Sequence, residues 1–190
     1  MIDAHPLAQL VVSSPDGLQA TPVPLVRRGD ALVGHLARPN SLTKLAGPAL
    51  AVFTGSGAYV SPGWYPSKRD HGKVVPTWNY ETVHVHGTLV VHDDAGWTLD
   101  VVRFLTDTFE AALPAPWSVD DAPPEYIAAM LRAIVGIELV DLRVEAKRKL
   151  SQNRDDGDRA GVLTALGAGD AAQRAVADAM AAPVVPDSGA

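Results

Sequence analysis

Cysteine is missing from all 190 residues. Its absence excludes disulfides, thiolate-bound metals, iron–sulfur clusters and cysteine nucleophiles, so a metal would have to rest on histidine or carboxylate ligands. No apolar run reaches the roughly 18 residues that a membrane helix needs, and the opening Met-Ile-Asp-Ala-His-Pro has neither the basic nor the apolar part of a signal peptide. A cytoplasmic location is the expectation. Positive charge is in deficit too: 16 Lys and Arg stand against 22 Asp and Glu, a net charge of −6. A nucleic-acid footprint needs a basic face, so direct DNA binding is not supported. No glycine-rich phosphate loop, Ser/His/Asp order or paired-carboxylate motif is present, which leaves a hydrolase or kinase without footing.

Aromatic residues make up only 6% of the chain, so the place where they gather is informative. Residues 57–88 hold two of the four tryptophans, three of the four tyrosines and three of the six histidines. Pro62, Pro66, Pro76, Gly63 and Gly72 interrupt this stretch, which predicts a long shaped loop between two strands. Loops of that kind carry function more often than packing.

Around it, alternation and turn residues predict strands over 7–13, 18–26, 31–37, 49–54, 81–91 and 137–144, with turns at 14–17 and 27–30. Val83, Val85, Gly87, Leu89 and Val91 share one strand face, and His84, His86 and His92 lie on the other. Asn40 can cap a short helix. Trp97, Val101, Phe104, Leu105 and Phe109 recur at helical spacing. A second helix is expected over about 121–134 with Tyr126, Met130 and Leu131 inward, and an Ala-rich helical tail from Asp155 that frays over 183–190. With 47% hydrophobic residues, no internal repeat and one expected core, the chain reads as a single α+β domain over 1–182, with six or seven strands in a barrel or sandwich.

Five segments carry a resemblance: Gly34-His35-Leu36-Ala37-Arg38-Pro39-Asn40, Tyr59-Val60-Ser61-Pro62-Gly63-Trp64-Tyr65-Pro66-Ser67-Lys68, Val75-Pro76-Thr77-Trp78-Asn79-Tyr80, Val83-His84-Val85-His86-Gly87, and Lys149-Leu150-Ser151-Gln152-Asn153-Arg154. Together they resemble the PaiB family, labelled FMN-binding negative transcriptional regulators. The resemblance implies a split β-barrel, usually a homodimer, with FMN at the dimer interface. It draws the candidate cofactor residues into clusters. His35, Arg38 and Asn40 offer a guanidinium for a phosphate, or else a surface ion pair and a helix cap. Tyr59, Ser61, Trp64, Tyr65 and Lys68 offer ring faces and a cation, or else a rigid loop packed on its own domain or across a dimer. Thr77, Trp78 and Asn79 precede the histidine strand. Lys149, Gln152 and Asn153 follow the last strand, near the cofactor or at a helix start.

The family pattern is not matched everywhere. Gly63 stands where Ser is usual and Pro22 where His is frequent, and the family's opening Met-Tyr-x-Pro segment has no counterpart here. The chain also resembles piperazate synthase, a relative that uses haem to close an N–N bond; on that alternative His84 is the axial ligand. His84 and His86 stand about 7 Å apart on one strand face, a spacing that suits metal ligands, but no third ligand is evident. A flavin-dependent oxidoreductase and a cofactor-free dimer held by the aromatic loop complete the alternatives.

Overall fold

The computed structural model describes residues 1–182; the tail expected to fray, 183–190, lies outside the described residues. Seven strands form one antiparallel sheet: β1 (Leu7–Ser14), β2 (Gly17–Pro24), β3 (Val26–Arg28), β4 (Ala31–Ala37), β5 (Gly47–Val60), β6 (Thr77–His92) and β7 (Ile134–Lys149), in the order β2-β1-β5-β6-β7-β4-β3. Five α-helices are described: α1 (Ser67–His71), α2 (Ala95–Glu110), α3 (Pro124–Leu131), α4 (Asp156–Gly167) and α5 (Ala171–Ala181). The chain divides into two compact units, whose boundaries fall inside β5, β6 and β7.

The first unit comprises Met1–Phe53 and Val83–Glu145. Its core gathers Leu10, Val12, Val23, Leu25, Phe53, Val83, Val85, Leu89, Ile137 and Leu139, so the expected inner face of β6 is the one that is buried. Ser14 and Gly17 close the β1–β2 hairpin in register, as the turn residues predict. Asp94 starts α2 by accepting the Trp97 N–H at 2.7 Å. Val101 and Leu105 of α2 pack with Val26 and Val33 in a smaller cluster. Trp97 stacks on His92 with ring centroids 3.7 Å apart. Gly136 makes room for that indole, because a Cβ there would lie 2.2 Å from it.

Three expectations need correction in this unit. The segment 18–26 is not one strand: Pro24 cannot donate to the ladder, and after Leu25 the chain re-forms as β3, which pairs with β4 through a turn at Gly29, φ 61°. Arg27 and Arg28 therefore belong to a strand and not to a turn. Tyr126 and Met130 of α3 point outward, 54% and 45% exposed. Leu131 is half-buried as expected, and with Pro124 opening the helix its inward partner is Ile127, one position on from Tyr126.

The second unit comprises Thr54–Thr82 and residues 146–182. Here the sequence pattern pointed to no separate core, yet Ala58, Val60, Tyr65, Leu150, Val162, Leu166, Val176, Ala177 and Met180 form one. Asp155 caps α4 by accepting the Asp158 N–H at 2.8 Å, and Asp170 with Gln173 closes a capping box on α5. β5 continues to Val60 through Gly55 and Gly57, and β7 continues to Lys149 through its basic run; both strands are longer than predicted. No helix among the described residues is long and apolar enough to cross a membrane.

Candidate functional site

In the second unit the start of β6 and the end of β7 bring two distant motifs together. The Lys149 ammonium donates to Thr77 Oγ1 and to the Trp78 carbonyl, the latter at 2.8 Å. An ammonium has three donors, so one remains for a ligand. Behind it lies a locked turn. Ser151 has φ 60°, a left-handed conformation that is uncommon for a residue with a side chain. Its Oγ lies 3.0 Å from Asn79 Nδ2 and 3.2 Å from Asn79 Oδ1, and both residues are buried. Gln152 closes the same turn, its Oε1 accepting the Leu150 N–H at 2.7 Å and its Nε2 donating to the Arg148 carbonyl at 2.9 Å.

These residues shape a cleft of about 130 Å³ lined by Val75, Pro76, Thr77, Asn79, Lys149, Ser151, Asn153 and Arg154. Two cations, a hydroxyl and an exposed amide suit a small anion. A cavity of about 150 Å³ accommodates a single benzene ring, so a fused ring system has no room inside the cleft and would lie on its rim. In this unit Trp78, 56% exposed, meets Tyr59, 45% exposed, edge to face at 6.2 Å. The pair is an open platform for a flat ring.

The aromatic loop is held by its own contacts. Ser61 accepts the Gly63 N–H at 3.1 Å and starts a 3-10 turn over Pro62–Trp64. Trp64 is half-buried against the second core. Tyr65 is buried, with the Arg154 guanidinium 4.6 Å above its ring. Ser67 docks on Asp158, and Lys68 is exposed. The Tyr65 hydroxyl is sealed from solvent without a hydrogen-bond partner. Tyr65→Phe should therefore hold or raise stability, by up to about 1 kcal/mol, because it removes an unsatisfied group at almost constant volume; a lowered urea midpoint would contradict this.

His35, Arg38, Asn40 and His84 belong to the first unit, where Arg38 and His35 line different cavities. Asn40 accepts the Leu42 N–H at 3.0 Å and donates to Thr21 Oγ1 at 2.9 Å, so both ends of its amide are engaged. Arg38 donates to the carbonyls of Arg132 at 3.0 Å and Ile134 at 3.1 Å and pairs with Asp93 at 2.7 Å. That hydrogen bond raises the Arg38 pKa and holds the Asp93 carboxyl below the usual carboxylate range. His84 is half-buried on β6. Its neighbour His86 lies 3.7 Å from Glu145, whose carboxyl is held low first by Arg143. No group of three or more metal-ligating side chains is found among the described residues.

Burial lowers the His35 pKa from its ordinary 6.5. Above pH 6.5 both folded and unfolded chains carry this ring neutral. As pH falls through 6.5 the unfolded chain takes up a proton that the folded chain refuses, so stability should fall until the folded ring protonates at lower pH. Chemical denaturation at pH 7.5 and 5.5 checks this: the decline should be shallower in His35→Phe than in the parent chain.

Arg154 lines the cleft and is not among the candidates that the sequence singles out. It closes the Ser151-Gln152-Asn153-Arg154 segment, and a cation directly after that polar run was the available signal.

The family model described as "Putative FMN-binding domain" matches residues 1–141. An uncharacterised protein of Aspergillus fumigatus is 35% identical over 151 residues, covering 70% of this chain and 58% of its own length. The protease synthase and sporulation protein PAI 2 of Bacillus subtilis is 29% identical over 140 residues, 71% of this chain and 64% of its own. The chain thus spans less than two thirds of the length of these relatives. Among solved structures, the flavocytochrome Anf3 of Azotobacter vinelandii superposes with a TM-score of 0.61 at 18% identity, covering 84% of this chain and 69% of that one. The open antiparallel sheet with its helices is accordingly the split barrel of flavin-binding proteins, the fold expected from the sequence.

Proposed function

The chain belongs to the PaiB family of FMN-binding domains, and on that premise we propose that its second unit holds FMN by the phosphate. The observation that carries this reading is the small cleft with Lys149 and Arg154 in its wall. Its donor set fits a phosphate: two cations with Thr77 and Asn153, and no carboxylate among the lining residues. The isoalloxazine would lie against the open Tyr59–Trp78 pair, with Lys68 and the Ser61–Trp64 turn as the other contacts from the loop. Tyr65, Asn79 and Gln152 then act beneath the site by fixing its walls. Bound FMN would supply one- and two-electron redox chemistry; the residues here bind and orient.

In this reading residues 1–182 work as one split-barrel domain in a cytoplasmic homodimer, and the protein acts in gene regulation without itself gripping DNA, consistent with its net negative charge. Titrating the purified chain into FMN tests the core of this proposal. Quenching of flavin fluorescence to a stoichiometric endpoint supports it, and unchanged fluorescence at high protein concentration refutes it.

A second reading, haem with His84 as axial ligand, draws on the likeness to a flavocytochrome. A haem absorbance band that disappears in His84→Ala would favour it, and a band unaltered by that substitution would remove His84.

A further inference from the structure

The first unit contains a cavity of about 340 Å³ in which His35 is the one candidate cofactor residue among the lining side chains. Val102, Leu105, Phe109 and Trp117 give it apolar and aromatic walls. Phe109 and Trp117 are each 45% exposed, large rings left open on a chain poor in aromatics. The volume is more than twice the roughly 150 Å³ that houses one benzene ring and lies at the lower end of the range for small-molecule sites, about 300–1,000 Å³. A two-ring molecule fits it.

Three polar side chains line the cavity, and two of them, His35 and Glu110 rather than the Thr106 hydroxyl, give it a chemical preference. His35 Nδ1 is sealed from solvent and has no partner, whereas Nε2 is not among the sealed, unpartnered atoms. A sealed, unpartnered N–H would be an orphaned donor of the kind that is rare among buried backbone groups. With the Nδ1 lone pair kept inside, a neutral ring carries its proton on Nε2 and has a donor left for the cavity it lines. Burial lowers the pKa of the ring and so favours its neutral form. Glu110 is the second of these: its carboxylate accepts the Trp117 backbone N–H at 2.9 Å and places a negative charge in the wall. That charge disfavours anions, FMN included.

We infer that this cavity is a second binding site, for an uncharged, planar, two-ring aromatic molecule whose carbonyl-type oxygen accepts a hydrogen bond from His35 Nε2. The cavity and the FMN cleft share no lining residue.

The test uses the full chain, with and without saturating FMN, and three probes: coumarin, naphthalene of similar shape without an acceptor, and coumarin-3-carboxylate. Binding is followed by calorimetry and by amide and indole shifts of Phe109 and Trp117. Coumarin should bind about tenfold more tightly than naphthalene, as one net hydrogen bond allows, and more tightly than the carboxylate, with or without FMN. His35→Phe should abolish the preference for coumarin over naphthalene while naphthalene still binds. Glu110→Gln, a milder change, should narrow the gap between coumarin and its carboxylate. Equal binding of coumarin and naphthalene overturns the inference, as does a preference that survives His35→Phe, a carboxylate penalty that survives Glu110→Gln, displacement of coumarin by FMN, or shifts confined to other residues.

Discussion

Lys149→Met should weaken FMN binding by about ten- to a hundredfold. The ammonium is half-buried, fixed by Thr77 and the Trp78 carbonyl, and keeps one donor for the cleft. A hydrogen bond to a charged partner contributes about 1.5–3 kcal/mol, which converts to that range of affinity. Met retains the length and apolar character of the stem, so the fold should persist with an unchanged circular dichroism spectrum. Flavin fluorescence quenching reads the affinity, and riboflavin, which has no phosphate, should bind the variant and the parent chain alike. A variant that binds FMN as tightly as the parent would take Lys149 out of the site.

Asp158→Ala should cost about 3 kcal/mol of stability and with it the seat of the aromatic loop. The carboxylate is buried, 2% exposed, and accepts the Ser67 N–H at 3.1 Å and the Ser67 hydroxyl at 2.7 Å. Removing it strands two donors beside α4, each at the cost of an unmade bond to a charged group. The loop is close-fitting there: a Cβ on Gly161 would lie 2.1 Å from the Trp64 carbonyl oxygen, so the helix cannot shift inward to compensate. Asp158→Asn keeps one acceptor oxygen and should lose less. For a chain of this size the melting temperature should fall by about 6–12 °C in the alanine variant. An unchanged melting temperature would mean that the loop is held by its aromatic packing alone.

What was legible in the sequence followed from local pattern. The alternation of Val83, Val85 and Leu89, the helical spacing of Trp97 through Leu105 and the Asn40 cap each depend on residues within a few positions, and each stands where the sequence put it. The lengths of β5 and β7 were not legible, because Gly55, Gly57 and the run Lys147-Arg148-Lys149 read as breakers or as loop until β6 lies alongside them. The phase of α3 depends on where Pro124 starts the helix: Leu131 faces inward as expected, but its inward partner is Ile127, while Tyr126 and Met130 are exposed. The site shows the same division. The motifs at 77–79 and 149–154 could be singled out individually, but Lys149 reaches Thr77 across 72 positions, and Arg38 reaches the Arg132 carbonyl across 94. Partners at that separation are chosen by the folded sheet, and spacing along the chain does not specify them.

The central claim, that the phosphate is what this chain grips, is tested most directly by comparing the dissociation constants of FMN and riboflavin for the parent protein at low and high salt. FMN should bind at least tenfold more tightly at low salt, with the advantage shrinking as salt screens Lys149 and Arg154. Equal affinity for the two flavins at low salt would contradict the account.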